Sequence, residues 1–395
     1  MAPVPRVAVV VVASVLVAVR PARAEEKGAP PAVQRTAALG EGVTVRSKDD
    51  TFSVTLRARF QPRFEFIAED GKESETRFMV RRARLLLQGH ALSPKLTYYL
   101  QLGFSNLDTE ADLRLPLRDA YVSWTPLRDI GVRGGQMKVP FGRQRVTSSS
   151  ALEMVDRAIL IGELSLDRDV GVVLFSRDFL GLGERLGYQL GVWGGDGRNR
   201  VAEHEGALWS ARLDFWPNGH FADLSEGDLT RSPRPRVAVG LSLAFNQNTY
   251  RHRSTIGDTY RLGGFDYLHG ALDAMVQWRG FSAQVEALVR NADRDSRTGT
   301  VDGETVTEFS RSAGGLFVQA SQMLTQNLQI AGRYGHMAPL RRTDPALRAQ
   351  DELGGAVSFY FVEHALKLQA DYFWLFGPES GAGRHQVRVQ AQLYF

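Results

Sequence analysis

The chain of 395 residues contains no cysteine, which excludes disulfide bonds and metal sites built on thiolates. Beyond the first 24 residues it has no apolar run of 18 residues, so the sequence predicts no helical membrane span there. The patterns H-E-x-x-H and G-x-S-x-G, typical of zinc proteases and serine hydrolases, are both missing. We therefore expect neither an enzyme nor a bound metal or other cofactor.

Lysine is scarce as well, with six lysines against 42 arginines. A guanidinium group binds two phosphate oxygens at once and is weakly hydrated, so this bias suits phosphate-like ligands. The net charge gives no information about partners. Three of the 48 basic residues lie in the first 24 positions, and the remaining 45 nearly balance 44 acidic residues.

The N-terminus predicts an export signal. Arg6 precedes an apolar run that ends at Val19, and Ala22-Arg23-Ala24 is typical of a cleavage site. We expect residues 1–24 to be a signal peptide that is cleaved after Ala24. The alternative is a retained membrane anchor.

The mature chain divides into a polar leader and one long patterned domain. Residues 25–50 are expected to form a flexible periplasmic leader with one small strand at 43–45, and residues 51–395 to form a β-barrel. Segments of about ten residues alternate apolar and polar side chains in this domain, with turn residues between them. We predict sixteen strands, near 51–67, 76–89, 95–105, 117–125, 130–140, 168–176, 185–194, 206–216, 236–246, 267–279, 281–290, 309–322, 325–335, 352–361, 365–375 and 385–395.

Sixteen alternating strands without a domain boundary favour an all-β, closed antiparallel transmembrane barrel over a soluble sandwich. A sheet that spans a bilayer must close on itself, because the hydrocarbon core offers no hydrogen-bond partner to a free edge. Five tryptophans near strand ends fit an aromatic girdle in contact with outer-membrane lipid: Trp124, Trp209, Trp216, Trp278 and Trp374.

The last strand keeps its alternation up to Phe395. We expect strand sixteen to pair with strand one, which would remove both sheet edges. Phe395 resembles the C-terminal aromatic signal of outer-membrane barrels, and this implies recognition by the barrel assembly machinery. Connections after odd-numbered strands should be external and the others periplasmic. The long connection 217–235 follows an even-numbered strand, and the topology does not explain its length.

The stretch RFMVRRARLLLQGHALSPKLTYYLQLGF resembles the second and third strands of the phosphate-selective porins O and P. The most specific part of the resemblance is KVPFG, followed by a serine cluster and Asp156-Arg157. The resemblance implies a homotrimer of sixteen-stranded porins, an inward-folded third external loop, and a path for phosphate or related anions lined by arginine and lysine. The chain departs from the family in its first strand, LRARF, where a glycine often precedes the arginine.

Alternation also predicts which side chains face the lumen. The predicted basic lining is Arg57, Arg59, Arg63, Arg82, Arg84, Lys138, Arg212, Arg279, Arg290, Arg333, Lys367 and Arg388. The predicted acidic lining is Glu65, Asp119, Asp214, Asp273, Glu286 and Asp371. The twofold basic excess favours anions, whereas mutual pairing of opposite charges would give a general porin.

The third external connection adds arginines and three serine hydroxyls, Ser148 to Ser150, which can replace the hydration of phosphate. The alternative role of its arginines is to hold the loop by pairing with Glu153 or Asp156. The candidate anion-binding and pore-lining residues are Arg57, Arg59, Arg63, Arg82, Arg84, Asp119, Lys138, Arg143, Arg145, Arg157 and Arg168. We expect Asp119 to balance a basic neighbour.

We predict a passive outer-membrane channel for small anions, such as phosphate or polyphosphate. A general non-selective porin is the alternative. An outer-membrane barrel enzyme and an adhesin are disfavoured, because catalytic motifs and large external domains are missing. A nucleic-acid partner is not expected, since no exposed basic cluster remains once Arg57 to Arg84 are assigned to the lumen.

Overall fold

The computed structural model describes residues 33–110, 113–201, 205–377 and 383–395. The predicted signal peptide, residues 1–24, and its cleavage site lie outside this part of the chain. The strands are β1 (Val33–Ala38), β2 (Gly42–Ser47), β3 (Phe52–Glu69), β4 (Glu75–Ala91), β5 (Ser93–Gly103), β6 (Leu117–Trp124), β7 (Gly131–Lys138), β8 (Arg168–Ser176), β9 (Leu186–Trp193), β10 (Leu208–Phe215), β11 (Arg236–Thr249), β12 (Phe265–Trp278), β13 (Phe281–Ala292), β14 (Ser296–Val301), β15 (Glu304–Phe309), β16 (Ala313–Met323), β17 (Leu328–Pro339), β18 (Gln350–Val362), β19 (Leu366–Phe376) and β20 (Arg384–Tyr394).

Sixteen of these strands, β3–β13 and β16–β20, form a closed antiparallel barrel. Neighbours in sequence pair throughout, β13 pairs with β16, and β20 closes the sheet by pairing with β3. The predicted sixteen-stranded barrel is confirmed, and no predicted strand bound differs from the observed one by more than four residues. Closure satisfies the backbone of every wall strand, which a bilayer requires.

The strands β1 and β2 form a hairpin that extends the sheet at one end of the barrel. β2 pairs with the first residues of β3, whereas β20 pairs with the rest of β3. Arg57 holds the hairpin, since its Nε donates to the Glu41 carbonyl oxygen at 2.9 Å. The segment predicted as a flexible leader over 25–50 forms this hairpin from residue 33 onward, and the hairpin covers an edge of β3 that β20 leaves open. The small strand predicted at 43–45 falls within β2.

Side chains alternate between the two faces of the wall. Along β12, Leu268 and Leu272 are each 56% exposed on the outer face, whereas Tyr267, His269 and Asp273 are buried. Four of the predicted girdle tryptophans are exposed, namely Trp124, Trp209, Trp278 and Trp374. Trp216 is instead buried, and its Nε1 donates to Asp223 at 3.1 Å.

Register shifts interrupt this alternation in five strand pairings, and two of them lie at arginines. β4 carries one extra residue at Arg81, and β6 carries one extra residue at Arg118. A bulge re-aims a side chain relative to its neighbours on the strand. Arg81 pairs with Asp156 and Arg118 with Asp108, on the lumen side of the wall.

The hairpin between β12 and β13 corrects one predicted lumen residue. Arg279 and Gly280 form its two-residue turn, with φ angles of 51° and 85°. Positive φ at both positions is the type I′ geometry, for which glycine is favoured at the second position. Arg279 therefore lies in the turn, where its guanidinium stacks on Trp278 at 5.1 Å, and it does not face the lumen.

The remaining elements lie in the connections. The short helices Arg143–Val146 and Ile159–Leu164 lie between β7 and β8, and β14 and β15 form a separate hairpin between β13 and β16. Among the described residues, no helix is long and apolar enough to cross a membrane. The long connections 139–167, 194–207, 250–264 and 293–312 emerge at one end of the barrel. Short turns dominate the other end, which is the periplasmic end in barrels of this kind.

Candidate functional site

The connection 139–167, here called the inner loop, lies against the inner face of the wall. The Val155 N–H donates to the Asp371 carboxylate of β19 at 3.0 Å. Phe141 and other apolar side chains of the loop share a buried cluster with Leu288 and Phe317, which belong to the lumen face of β13 and β16. The loop is therefore fixed to one part of the wall by both hydrogen bonds and apolar contact.

The connection 216–235, here called the inner turn, reaches the inner loop from the periplasmic end. The Glu226 N–H donates to the Ala151 carbonyl oxygen at 2.9 Å, and the Glu153 N–H donates to the Glu226 carboxylate at 3.0 Å. Burial, and next the charge of Glu226, raise the pKa of Glu153 to about 7. The length of this connection, which the topology does not explain, is used to fill the lumen.

Together the inner loop and the inner turn occupy the lumen along β10–β20, here called the filled side. The buried arginines of these strands all pair with carboxylates: Arg212 with Asp214 and Asp273, Arg290 with Glu163, Arg333 with Glu352, and Arg388 with Asp371. Such pairing is required, because an isolated charge buried away from water is costly. The arginines of the filled side therefore offer little free positive charge, whereas Lys367 of β19 holds the loop by donating to the Leu152 carbonyl oxygen at 2.6 Å.

The opposite part of the wall, β3–β9, is the open side and borders three connected cavities. An outer cavity of about 160 Å³ and a middle cavity of about 270 Å³ share Arg84, Lys138, Ser149 and Arg168. The middle cavity shares Arg133 with a vestibule of about 710 Å³, which lies at the periplasmic end. The three cavities lie in succession along the open side, between the wall and the inner loop, and this succession is here called the route.

Positive charge dominates the outer and middle cavities. Their acidic lining residues are Asp119 and Asp167. Their basic lining residues are Arg59, Arg81, Arg82, Arg84, Arg118, Arg133, Lys138, Arg145, Arg157, Arg168 and Arg198. An excess of basic groups is the charge pattern that favours anions in channels.

Four of these basic residues form no ion pair with any carboxylate of the described residues. Arg59 donates to Ser148 Oγ at 3.4 Å, and Arg133 donates to Ser123 Oγ at 2.8 Å. Lys138 and Arg157 both donate to the Thr147 carbonyl oxygen, at 3.2 and 2.6 Å. Two cations thus meet at one neutral acceptor, an arrangement that an anion would stabilise.

The remaining basic groups share too few carboxylates. Asp156 pairs with three arginines, Arg63, Arg81 and Arg82. Burial, and next the charge of Arg145, lower the pKa of Arg157, which means that its charged form is destabilised here. A bound oxyanion would supply the missing negative charge and would raise the pKa of Arg157, because opposite charge favours the protonated guanidinium.

Eight of the eleven candidate residues line the outer or middle cavity: Arg59, Arg82, Arg84, Asp119, Lys138, Arg145, Arg157 and Arg168. Asp119 accepts two hydrogen bonds from Arg168, at 3.0 Å each, as expected of an acid that balances a basic neighbour. Ser148 and Ser149 line the middle cavity as well.

Three candidates lie away from these two cavities. Arg57 binds the N-terminal hairpin, and Arg63 donates to the Val155 carbonyl oxygen of the inner loop at 3.0 Å. Arg143 pairs with Asp273 at 2.7 Å and with Asp223 at 2.5 Å. Arg143 thus holds the loop, although through partners other than Glu153 or Asp156.

The sequence pattern did not predict four of the basic lining residues: Arg81, Arg118, Arg133 and Arg198. Arg81 and Arg118 are the bulge residues, so strict alternation assigns them to the wrong face. Arg133 lies five residues before Lys138 on β7, so an alternation that places Lys138 in the lumen assigns Arg133 to the opposite face. Arg198 lies in a long external connection, whose path has no periodic signal.

Comparison with known proteins identifies the family. The sequence model of "Phosphate-selective porin O and P" matches residues 54–395. The chain belongs to this family. This porin is therefore a channel of the bacterial outer membrane, and its family and fold indicate transport and not catalysis.

One curated protein is similar to this porin over most of its length, and several solved structures share its fold. An uncharacterised protein of Aquifex aeolicus (strain VF5) is 22% identical over 385 residues, 86% of this chain and 87% of the relative. The outer membrane channel DcaP of Acinetobacter baumannii has a TM-score of 0.57 at 16% identity, covering 89% of this chain and 99% of DcaP. The anion-selective porin from Comamonas acidovorans has a TM-score of 0.54 at 14% identity, and the match covers 87% of this chain and 100% of that porin. These structures support the fold.

Metal chemistry has no candidate site in the described part of the chain. No group of three or more histidine, aspartate or glutamate side chains is placed there to hold a metal ion. The buried carboxylates of Asp371 and Glu226 instead accept hydrogen bonds from backbone N–H groups, and those of Asp273 and Glu352 pair with arginines.

Proposed function

We propose that this porin is a passive, anion-preferring channel for phosphate-like oxyanions, with its path along the open side. The observation that carries the proposal is a group of four basic residues that have no carboxylate partner among the described residues, Arg59, Arg133, Lys138 and Arg157. A partly dehydrated oxyanion can exchange its water for these donors and for the Ser148 and Ser149 hydroxyls. A general porin would instead need its basic row balanced across the path.

The proposal includes the wider biology of the chain. We propose that residues 1–24 are removed after Ala24, that Phe395 is read by the barrel assembly machinery, and that the mature protein is a homotrimer. The porin family and the fold support an outer-membrane assembly of this kind. Orthophosphate and polyphosphate are both compatible with a route that offers successive basic groups.

The test is a planar-bilayer recording of the purified protein in a potassium chloride gradient. The reversal potential should correspond to a preference for chloride over potassium, and added phosphate should block the chloride current. The substitution Lys138→Gln should weaken phosphate block by about tenfold, because one charge at contact distance is removed from the path. Arg157→Gln should act in the same direction.

Lys72→Gln is the matched control for Lys138→Gln. Lys72 carries the same charge, but it lies on a loop at the external end and pairs with Glu69 at 2.6 Å. Its removal should leave phosphate block unchanged. A preference for potassium in the native channel would defeat the anion proposal and leave the channel itself untouched. Equal block in all variants would remove Lys138 and Arg157 from the path.

A further inference from the structure

An aromatic strip runs beside the basic residues on the open side. Tyr99 of β5 and Tyr121 of β6 are cross-strand partners, and their rings stack at 5.2 Å with an interplanar angle of 16°. The Arg133 guanidinium of β7 follows at 5.0 Å from the Tyr121 ring, and the Phe175 ring of β8 lies 4.8 Å beyond it. Four neighbouring strands therefore contribute one continuous stack on the lumen face.

The stack borders the cavities. Tyr99 and Tyr121 line the middle cavity, Phe175 lines the vestibule, and Arg133 lines both. All three rings are only partly buried, so their faces or edges are accessible from the route. The vestibule, at about 710 Å³, has the volume of a site for an organic molecule.

This placement is unexpected for a route that serves inorganic oxyanions alone. Barrel interiors are mainly polar, and aromatic side chains are typical of the lipid-facing girdles. The face of an aromatic ring carries partial negative charge, so it offers nothing to a small, fully hydrated anion. Rings and unpaired guanidinium groups together suit a ligand that has a charged head and a flat apolar body.

We propose that the open side holds a binding site for organic anions that join a phosphate or carboxylate group to a flat, unsaturated body. The charged head binds Arg133 and Arg59, and the body stacks along Tyr99, Tyr121 and Phe175. Arg133 is the central residue, because Nε is bound to Ser123 while the rest of the guanidinium faces the cavities between two rings. This inference rests on the proposed anion path and narrows its substrate class.

The test compares phenyl phosphate with methyl phosphate as blockers of the chloride current. Both carry the same head group, so a difference between them reports the ring. Phenyl phosphate should block the native channel at about tenfold lower concentration, since an aromatic contact contributes this much to binding. In Phe175→Leu the advantage of phenyl phosphate should become clearly smaller, while block by methyl phosphate and by inorganic phosphate stays the same.

Two further variants keep the test decisive. Tyr99→Leu removes another ring of the strip and should also reduce the advantage of phenyl phosphate, which covers the case that Phe175→Leu fails to fold. Phe78→Leu removes a ring that is 80% exposed on the outer face, and it should retain the full advantage.

The outcomes separate this inference from the proposed function. Equal block by the two esters in the native channel, or a ring advantage that survives in both Phe175→Leu and Tyr99→Leu, overturns the organic-anion site alone. Inorganic phosphate would still block in that case. Absence of any anion preference, together with no block by inorganic phosphate, overturns the anion path itself.

Discussion

The two sides of the lumen use the same residue types for different purposes. On the filled side, Arg333 and Arg388 are buried and pair with separate carboxylates, those of Glu352 and Asp371. On the open side, Lys138 and Arg157 meet at a single backbone carbonyl oxygen. Arginine content alone therefore does not define a selective path. The number of free carboxylates within reach decides whether a basic row is structural or available to a ligand.

The largest expected effect comes from removing the ion pairs of one arginine on the filled side. Arg143→Ala leaves Asp223 without its arginine and Asp273 with one arginine fewer, deep in the lumen. We expect a loss of about 3 kcal/mol in the free energy of unfolding, since removing one partner strands a buried charge. Urea unfolding of the detergent-solubilised barrel measures this loss, and single-channel recording should show a larger conductance with anion preference retained.

Arg145→Ala is the matched substitution on the open side. Arg145 pairs with Asp167 at 2.6 Å, and its side chain is 18% exposed. Arg145→Ala should lower the free energy of unfolding clearly less than Arg143→Ala does, and it should reduce the anion preference more. If both variants lose stability and selectivity to the same extent, the distinction between the two sides is not a functional one.

An intermediate effect is expected from adding a carboxylate to the open side. In Ser148→Asp the new carboxylate would lie beside Arg59, whose guanidinium already donates to Ser148 Oγ. The permeability ratio of chloride to potassium should fall about tenfold, because the added charge neutralises one free cation. Reversal potentials measure the ratio. Ser148→Asn, which introduces a side chain of the same shape without the charge, should keep the native permeability ratio. Equal ratios in the two variants would contradict the prediction.

The smallest expected effect concerns the contact between the inner loop and the inner turn. The pKa of Glu153 is raised to about 7, so the folded protein keeps this proton at pH values where the unfolded chain has lost it. The stabilisation is complete below the unfolded pKa and is lost as the pH rises through about 7. We expect a change on the order of 1 kcal/mol between pH 5 and pH 8.

Hydrogen exchange provides a local measurement of this contact. The Glu153 and Glu226 amides should be less protected at pH 8 than at pH 5, after correction for the intrinsic rates. Glu153→Gln should show no such pH dependence and should retain protection at pH 8. A native contact with unchanged protection across this range would contradict the assigned pKa shift.

The fold follows from the sequence because its signal is local. Alternation of period two along each strand, as in Phe52, Val54 and Leu56 against Arg57 and Arg59, defines both the strand and its two faces. Closure then follows from the bilayer, which tolerates no free edge. The strand bounds required no knowledge of distant contacts.

The site follows from the sequence only in part, because pairing is not local. Arg143 and Asp273 are 130 residues apart, and no local pattern in either segment predicts their contact. The role of the inner turn could not be predicted either, since the turn contacts Ala151 and Glu153, which belong to a loop from the opposite end of the barrel. Alternation predicts the face of a side chain but not its partner.

The extra residues at Arg81 and Arg118 have a consequence for how such channels diverge. An extra residue in a membrane strand is normally expected to disturb the sheet. Arg81 and Arg118 instead each add a guanidinium to the lining of the outer cavity without replacing an existing residue. Single-codon gains and losses, and not only exchanges of one amino acid for another, can thus retune which solutes a barrel admits. Alignments that ignore one-residue gaps would overlook this source of diversity.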